Sequence, residues 1–409
     1  MKIRSITYFI NPRWPLDEAR MAVAGAFIAV ARPAYEAAGY EVQTTRMATV
    51  PFADLLGAWN LEEAIRLAVA LGAASTEQGY NYLALGPARI GQPQACAAIS
   101  EILKATANTF LCAEMSTQRH GISLPAVRAC AQVIHELASL DPNGFGNMYF
   151  TALANVPPGS PFFPAAYHEG DAPAFAIATE AADLAVTAFE QAGSLAEAVG
   201  NLVGALEQHG AALAAVGAEL EKETGARFGG IDFSLAAFPA ESQSLGTAFE
   251  RLGVPAVGRH GSLAAAAILA DSIDRAQFPR AGFSGLMLPV LEDYKLAQRA
   301  AEGHLTAKDM LMFSAVCGTG LDTLPLPGDT TPEQLAALLL DLAALAQRLD
   351  KPLTARLMPI PGKQAGELTT FDFDFFANSR VLALDAAPLS GPLTGDESFE
   401  LKPRPKRAS

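Results

Sequence analysis

Residues 226–235 have the sequence A-R-F-G-G-I-D-F-S-L, and they follow the alanine- and leucine-rich stretch Ser194–Glu223 almost directly. The first segment has the apolar and aromatic residues of a β-strand, whereas the second has the length and composition of a helix. The same succession recurs along almost the whole chain. This alternation predicts an α/β protein whose parallel or mixed sheet is covered by helices, either wound open or closed into a barrel.

Ten short apolar segments are predicted as strands, and eight longer stretches between them are predicted as helices. The predicted strands are Lys2–Phe9, Glu41–Thr49, Tyr82–Leu85, Thr109–Met115, Asn147–Ala154, Ala174–Thr179, Ala226–Leu235, Phe283–Leu291, Gly320–Leu326 and Pro352–Ile360. The predicted helices are Leu16–Ala38, Asn60–Ala74, Pro93–Ala107, Pro125–Leu140, Ser194–Glu223, Ser262–Arg275, Thr306–Ala315 and Pro332–Leu349. Phenylalanines at alternating positions of Thr370–Leu384 further predict a closing strand or hairpin.

Helix caps and the lack of linkers indicate how these elements are organised. Thr331 precedes Pro332 at a predicted helix start, and Thr306 with Asp309 resembles a capping box. The proline-rich loop at 157–164 is too short to separate two domains. We therefore predict a single domain over residues 1–390, with residues 391–409 as a flexible tail whose basic residues are solvated: Lys402, Arg404, Lys406 and Arg407.

Composition and charge narrow the class of protein. Of the 409 residues, 50% are hydrophobic and 18% are charged, yet no uncharged apolar run is long enough to span a bilayer. The net charge of −14 repels phosphate backbones and anionic lipids, which makes nucleic acids and membranes poor partners. The N-terminus lacks the features of a secretion signal, and the four cysteines form no CxxC pair, so they are interpreted as reduced thiols. A cytoplasmic protein is expected.

Several familiar catalytic motifs are absent from the sequence. There is no GxGxxG, Walker-type loop or GxSxG, and His135-Glu136 lacks the second histidine of a zinc-protease helix because Ser139 stands there. No cofactor or metal can be assigned from motifs.

Candidate site residues are therefore sought near the ends of strands, where α/β folds bind ligands. Asp232 lies in an apolar strand, where its charge needs a metal, an arginine or backbone amides; the alternative is that it caps the next helix. Arg259, His260 and Ser262 open a helix and would form an anion site, or else Ser262 is only an N-cap and His260 lies at the surface.

Four further segments carry candidate residues. Ser284 is followed by Glu292-Asp293, which would bind a divalent cation or begin a helix. Cys317, in a glycine-rich turn, is a candidate nucleophile or an inert buried thiol, and Asp322 would orient a reacting group. The remaining candidates are Arg356, which needs Asp232 or a bound anion as its partner, and Lys363. His168 follows Phe162 and Phe163 in an aromatic loop, and it would either line the mouth of a pocket or belong to a solvated loop.

Taken in order, these segments resemble the family called domain of unknown function 711, or uncharacterised protein family 0210. The resemblance covers nearly the whole chain and is strongest over residues 225–366. It rests on FGGIDFSLA at 228–236, HGS at 260–262, Ser284-Gly285 through Glu292-Asp293, Cys317 through Asp322, Gly328-Asp329-Thr330, Arg356 through Lys363, Ser116-Thr117, Gly121-Ile122 and YHEG at 167–170.

The resemblance implies a fold similar to pyruvate formate-lyase and anaerobic ribonucleotide reductase, a ten-stranded α/β barrel with helices outside. The chain lacks the RVxGY-type glycine loop of glycyl-radical enzymes, although Cys317 would occupy the place of their cysteine finger. It also has Ser242-Gln243-Ser244 where the family tends to have Gly-Asp-Ser, so a carboxylate of any shared metal site is missing.

The leading hypothesis is an enzyme that acts on a small anionic metabolite inside the barrel by acid–base chemistry, without a glycyl radical. Asp232 and His260 would be the acid–base pair, Arg356 the anion anchor, and Cys317 and Asp322 further polar groups of the catalytic site; Ser262, Ser284, His168 and Lys363 would contact substrate. Two alternatives stay open: a non-catalytic metabolite-binding protein, and a homo-oligomeric structural protein built on alanine-rich helices.

Overall fold

The alternating segments form one large mixed sheet with helices packed on it, in a computed structural model that describes residues 1–403. The strands are β1 (Lys2–Ile10), β2 (Val42–Pro51), β3 (Tyr82–Gly86), β4 (Thr109–Thr117), β5 (Gly121–Ser123), β6 (Phe150–Ala154), β7 (Ala174–Glu180), β8 (Arg227–Ala236), β9 (Gly320–Pro327), β10 (Leu353–Ile360) and β11 (Ser398–Phe399). The structure thus confirms nine of the ten predicted strands, with shifted ends.

The helices follow the predicted pattern with three additions. They are α1 (Glu18–Ala37), α2 (Leu61–Glu77), α3 (Pro93–Ala97), α4 (Ile99–Lys104), α5 (Leu124–Ala138), α6 (Ala182–Glu190), α7 (Leu195–Thr224), α8 (Leu245–Arg251), α9 (Ser262–Arg275), α10 (Tyr294–Ala301), α11 (Ala307–Phe313) and α12 (Pro332–Leu349). Helices α6, α8 and α10 were not predicted, and the stretch Pro93–Ala107 is divided between α3 and α4. The capping box predicted at Thr306 is present, and Thr331, predicted only as a helix start, forms a second capping box with Gln334.

The sheet has the strand order β8-β7-β1-β2-β3-β4-β6-β10-β9, with β5 paired to β4 and β11 paired to β5. Strands β1, β2, β3, β4 and β6 run parallel to one another. Strand β8 is parallel to β7, and β9 is parallel to β10. Antiparallel pairing occurs where β1 meets β7 and where β6 meets β10, so the two outer pairs run against the central five strands.

The tenth predicted strand, Phe283–Leu291, is not a regular strand, and this expectation was wrong. Isolated bridges join Ile231 to Arg280 and Pro289 to Asp322, so the segment contacts both end strands, β8 and β9. Ser284 has a positive φ of 36°, and Pro289 has no N–H to donate, which together interrupt a continuous ladder. Regular hydrogen bonding therefore does not confirm a closed ten-stranded barrel.

The C-terminal part of the chain also differs from expectation. Residues 370–384 form no regular strand; a single antiparallel bridge joins Leu368 to Arg380 at the base of a loop. Within the predicted tail, β11 pairs with β5 and the carbonyl of Lys402 accepts a hydrogen bond from Arg348. Arg404, Lys406 and Arg407 lie outside the described residues.

The core is continuous beneath the helices, and all four cysteines are buried and free. Leu335, Leu339 and Leu342 of α12 are fully buried, as the apolar periodicity of that helix predicts. Across residues 1–403, no helix combines the length and apolar character that crossing a bilayer would need.

Candidate ligand-binding site

One face of the sheet encloses a cavity of about 390 Å³. Alternating residues of two strands reach it, Thr44 and Arg46 from β2 and Asp232 and Ser234 from β8, because side chains two apart in a strand share a face. Aromatic side chains form most of the remaining wall: Tyr82, Phe110, Phe145, Tyr149, Phe162 and Phe163. The cavity therefore combines an apolar lining with a few charged groups, as small-molecule sites do.

The strand directions explain where the cavity lies. Tyr82 and Phe110 are at the amino ends of β3 and β4, whereas Thr179 and Ser234 are near the carboxyl ends of β7 and β8. Because β7 is antiparallel to β1, these opposite strand ends meet at the same edge of the sheet. The site follows the carboxyl-end rule only on the β7–β8 side.

Arg356 of β10 lines the cavity, but its guanidinium is bound by two buried carboxylates. Its Nε donates to Asp322 Oδ1 at 2.6 Å and its Nη2 donates to Glu292 Oε1 at 2.7 Å. Burial alone would lower the pKa of Arg356, but the charges of Asp322 and Glu292 outweigh burial and raise it. The sequence predicted Asp232 or a bound anion as the partner of Arg356; the structure provides Asp322 and Glu292 instead.

Arg4 completes this buried ion-pair cluster. Its Nη2 donates to Glu292 Oε2, and its Nη1 donates to the carbonyl of Ala237 at 3.2 Å and lies 3.8 Å from Glu180 Oε2. Burial would raise the pKa of Glu292, yet the attraction of Arg4 and Arg356 holds that pKa below its ordinary value. Burial raises the pKa of Asp322, whose Oδ2 has no hydrogen-bond partner in the described chain.

Arg46 differs from the other two arginines because no carboxylate of residues 1–403 lies within ion-pair distance of it, although Glu292 attracts it from farther away. Its Nε donates to Thr44 Oγ1 at 2.9 Å, and its guanidinium carbon lies 5.0 Å from the centre of the Phe163 ring. Desolvation, followed by repulsion from Arg4, lowers the pKa of Arg46 to about 9. An anion in the cavity would relieve both effects.

Asp232 is a buried carboxylate of the cavity wall, and no arginine of residues 1–403 pairs with it. It accepts hydrogen bonds from the backbone N–H groups of Phe283 and Ser284, each at 3.0 Å, and from Ser234 Oγ. Burial raises its pKa to about 6 despite these donors. A Cβ at Gly282 would overlap Asp232 Oδ2, so glycine is required for the 282–284 turn to wrap the carboxylate.

Of the predicted site residues, the structure brings Asp232 and Arg356 to the cavity and places Asp322 directly behind Arg356. His260 is exposed at the start of α9, which packs against α7, and it does not line the cavity. The structure therefore does not show the expected pairing of His260 with Asp232, because the turn that opens α9 is exposed to solvent.

The remaining predicted site residues do not line the cavity. Ser262 is buried and accepts from the Gly258 N–H, although the N-cap position itself belongs to Gly261. Ser284 Oγ donates to two backbone carbonyls, those of Ile231 and Ala281. The other three also lie away from the cavity wall. Cys317 is buried in the core, His168 is buried and its Nε2 has no hydrogen-bond partner among residues 1–403, and Lys363 is partly exposed in a turn.

Glu292 and Asp293 have separate structural roles. Asp293 is the N-cap of α10, accepting from the N–H groups of Lys295 and Leu296 at 3.0 Å each. Its other oxygen accepts from the Leu245 N–H at the start of α8 at 2.6 Å. This confirms the helix-start interpretation, while Glu292 belongs to the arginine cluster. Within residues 1–403, no group of three or more His, Cys, Asp or Glu side chains is placed to hold a metal ion.

Sequence reasoning missed Arg46, Arg4 and the wall formed by residues 371–375. Arg46 had a usable signal, since it is an arginine two residues after Thr44 in an apolar strand, the same pattern that singled out Arg356. The wall did not, because Phe371, Phe373 and Phe375 were assigned to a strand rather than to a loop over the cavity.

The fold and cavity define a mixed α/β protein with an internal pocket. Among residues 1–403, the wall of this pocket includes Arg46, which has no carboxylate within ion-pair distance, and the buried carboxyl group of Asp232. The chain matches the family described as "Uncharacterised ACR (DUF711)" over residues 1–378, and it belongs to that family.

Relatives of this chain extend across bacteria and archaea. It is 30% identical over 368 residues to a UPF0210 protein of Desulforudis audaxviator, covering 85% of this chain and 81% of the relative. It is 31% identical over 353 residues to a UPF0210 protein of Pyrobaculum arsenaticum, covering 80% and 76%. A UPF0210 protein of Lactobacillus delbrueckii subsp. bulgaricus is 27% identical over 362 residues, covering 84% and 80%.

Proposed function

We propose that this protein is an enzyme that binds a small anionic molecule in the cavity and transfers a proton to or from it through Asp232. The observation that carries the proposal is that one aromatic cavity is lined by two different charged groups. One is Arg46, which has no carboxylate partner within residues 1–403, and the other is Asp232, a carboxyl group of raised pKa. A charged ligand would be attracted by the first group and acted on by the second.

The chemistry assigned to Asp232 follows from its surroundings. A carboxyl group with a pKa near 6 is divided between its acid and base forms close to neutral pH, which is the range in which general acid–base catalysis is most effective. Ser234 and the backbone amides of Phe283 and Ser284 hold it in a fixed orientation. Above pH 6 it acts as a base, and below pH 6 as an acid.

Arg356 is assigned a positioning role rather than the anchor role predicted from sequence. Two of its donors are bound to Asp322 and Glu292, and its Nη1 lies 3.3 Å from Met148 Sδ. It therefore orders the charged floor of the cavity, and Arg46 takes the part of the anion anchor.

The proposal is tested with Asp232→Asn and, as matched control, Asp271→Asn, whose carboxylate is exposed on α9 and paired with Arg275. Purified protein is incubated with a small-molecule fraction from a bacterial extract, and depletion is followed by mass spectrometry. We expect the wild type and the control to consume an anionic compound and Asp232→Asn to lose at least 99% of that activity. Equal consumption by Asp232→Asn would overturn the proton-transfer role.

A non-catalytic binding protein is the second candidate function, and one observation favours it. The three hydrogen bonds that Asp232 accepts come from Ser234 Oγ and two backbone N–H groups of the protein, and His260, its expected partner, does not line the cavity. Ligand binding that is saturable and shows no depletion of any compound over long incubation would support this candidate over the enzyme.

We also propose that residues 279–291 close the sheet into a ten-stranded barrel of the pyruvate formate-lyase type. Support comes from hydrogen bonds on both sides of the segment: Ala281 N–H to Ile231 O at 3.0 Å and Met287 N–H to Ser234 O at 2.9 Å on β8, and Val290 N–H to Asp322 O at 3.2 Å on β9. Slow amide hydrogen exchange at these three N–H groups is the expected result, and exchange at the rate of exposed loops would argue against closure.

A further inference from the structure

The charges around the cavity restrict the kind of anion that it can hold. Arg4 and Arg356 are already matched by Glu292 and Asp322 in the buried cluster, so among residues 1–403 Arg46 is the cavity-lining arginine that has no carboxylate partner. Its two terminal nitrogens have no hydrogen-bond partner within residues 1–403. A guanidinium with both of these nitrogens available matches a planar carboxylate with two parallel hydrogen bonds.

A second anionic group on the ligand would meet repulsion elsewhere in the cavity. Asp232 lies on the β8 wall, and Asp141 and the exposed Asp372 lie where the lining continues toward solvent. None of these three carboxyl groups is paired with a cationic side chain within residues 1–403. The cavity therefore favours one negative charge and disfavours two or three.

The rest of the wall favours an apolar, flat ligand body. The Phe110 ring packs edge-on against Phe163 at 5.4 Å between ring centres and lies 5.0 Å from Tyr149. Phe163 is also the ring over which Arg46 lies, so the cation and the aromatic wall are contiguous. Such rings bind planar unsaturated groups by edge and offset contacts.

A loop from the C-terminal part of the chain covers the same cavity. The side chain of Asn378 fixes this loop by accepting from the Phe371 N–H at 2.7 Å and donating to the Phe371 carbonyl at 3.0 Å. Phe373 then lies 5.2 Å from Phe145 and is partly exposed, in contact with both the cavity and solvent. The loop adds apolar surface without adding a cation.

We propose that the cavity binds an aromatic or otherwise planar monocarboxylate, with the carboxylate on Arg46 and the apolar body against Phe110, Phe163 and Phe373. This inference deepens the proposed function and rests on it, since it names the ligand class of the same cavity. It distinguishes this class from phosphate esters and di- or tricarboxylates, which carry more charge than Arg46 alone can match.

The test is isothermal titration calorimetry at pH 8 with four probes: 3-phenylpropionate, its neutral amide, butanoate and phenyl phosphate. We expect 3-phenylpropionate to bind, and each of the other three to bind about tenfold more weakly or worse, because each lacks the single planar charge or the ring. Arg46→Gln should weaken 3-phenylpropionate about tenfold or more, whereas Arg66→Gln, at an exposed position on α2, should leave binding unchanged.

The outcomes separate this inference from the proposed function. Tighter binding of phenyl phosphate than of 3-phenylpropionate, or equal binding of the acid and its amide, would overturn the monocarboxylate class while leaving an anion-binding cavity. No heat with any of the anions would overturn both. The Arg46→Gln variant should fold, because loss of the Arg46 charge relieves repulsion within the arginine cluster. If the variant does not fold, the affinities of the wild type for 3-phenylpropionate and for its neutral amide decide whether a carboxylate is required.

Discussion

Replacing Arg356 by methionine should destabilise the fold strongly, because it removes the cation that two buried carboxylates share. Asp322 is fully buried, its Oδ1 is held by Arg356 Nε at 2.6 Å, and its Oδ2 has no partner in the described chain. Glu292 would keep Arg4, so the uncompensated charge falls on Asp322. Breaking a buried pair from one side costs about 3–5 kcal/mol of unfolding free energy.

The dependence of this loss on pH follows from the same contact. Without Arg356, the pKa of Asp322 rises further above its value in the unfolded chain than it does in the wild type. A carboxyl group with a raised folded-state pKa supports the fold below its unfolded pKa and loses that contribution as the pH rises through the folded-state pKa. The deficit should therefore be larger at pH 8 than at pH 5, by at most about 1.4 kcal/mol for each pH unit.

The assay is urea denaturation of the wild type and variants at the two pH values, followed by circular dichroism. Arg275→Met, which removes an exposed pair on α9, is the control and should change stability little. The double variant Arg356→Met/Asp322→Leu should recover much of the loss because the orphaned charge is gone. A loss of unfolding free energy below about 1 kcal/mol, or one independent of pH, would show that Arg356 does not compensate the charge of Asp322.

Three further predictions concern residues around the cavity. Asp232→Asn should gain stability relative to the wild type as the pH rises from 4 to 7, by at most about 3 kcal/mol of unfolding free energy. The reason is that the raised pKa of about 6 makes the folded wild type progressively less favourable over that pH range. A stability difference that does not change with pH in urea titrations would contradict this prediction. Asp293→Ala removes the acceptor at the start of two helices and should lower the unfolding free energy in denaturant by about 2–4 kcal/mol. A loss no larger than that of Asp309→Ala, whose carboxylate caps a single helix, would count against this prediction. Gly285→Ala should lower the melting temperature because its Cβ would overlap Gly318 Cα, whereas Gly200→Ala should not, because α7 leaves open space there. Equal melting temperatures of the two variants would be evidence against the close approach of Gly285 and Gly318.

The order of helices and strands was predictable because hydrophobic periodicity is a local property of the chain. β5 and β11 were not, since they are three and two residues long, and β11 forms through pairing with the distant β5. The segment Phe283–Leu291 has the composition of a strand, but the turn that wraps Asp232 needs a positive φ at Ser284. The contacts that this turn makes with Asp232 in the folded protein therefore outweigh the local preference of the segment for a β-strand.

The candidate site was predictable in part for a related reason. A charged residue in an apolar strand requires a partner, and this argument located Asp232 and Arg356. It could not say which arginine would be neutralised, because that depends on where the fold places Glu292. His260 illustrates the opposite limit: a glycine-rich helix start has the same sequence whether it faces a cavity or, as here, solvent.

A crystal structure of the protein soaked with 3-phenylpropionate would show where the carboxylate of this ligand binds. We expect the ring between the aromatic walls and both carboxylate oxygens within hydrogen-bond distance of the terminal nitrogens of Arg46. Density for the carboxylate on Arg356 with the ion pairs to Glu292 and Asp322 broken, or a cavity left empty while the probe occupies another surface, would contradict this expectation.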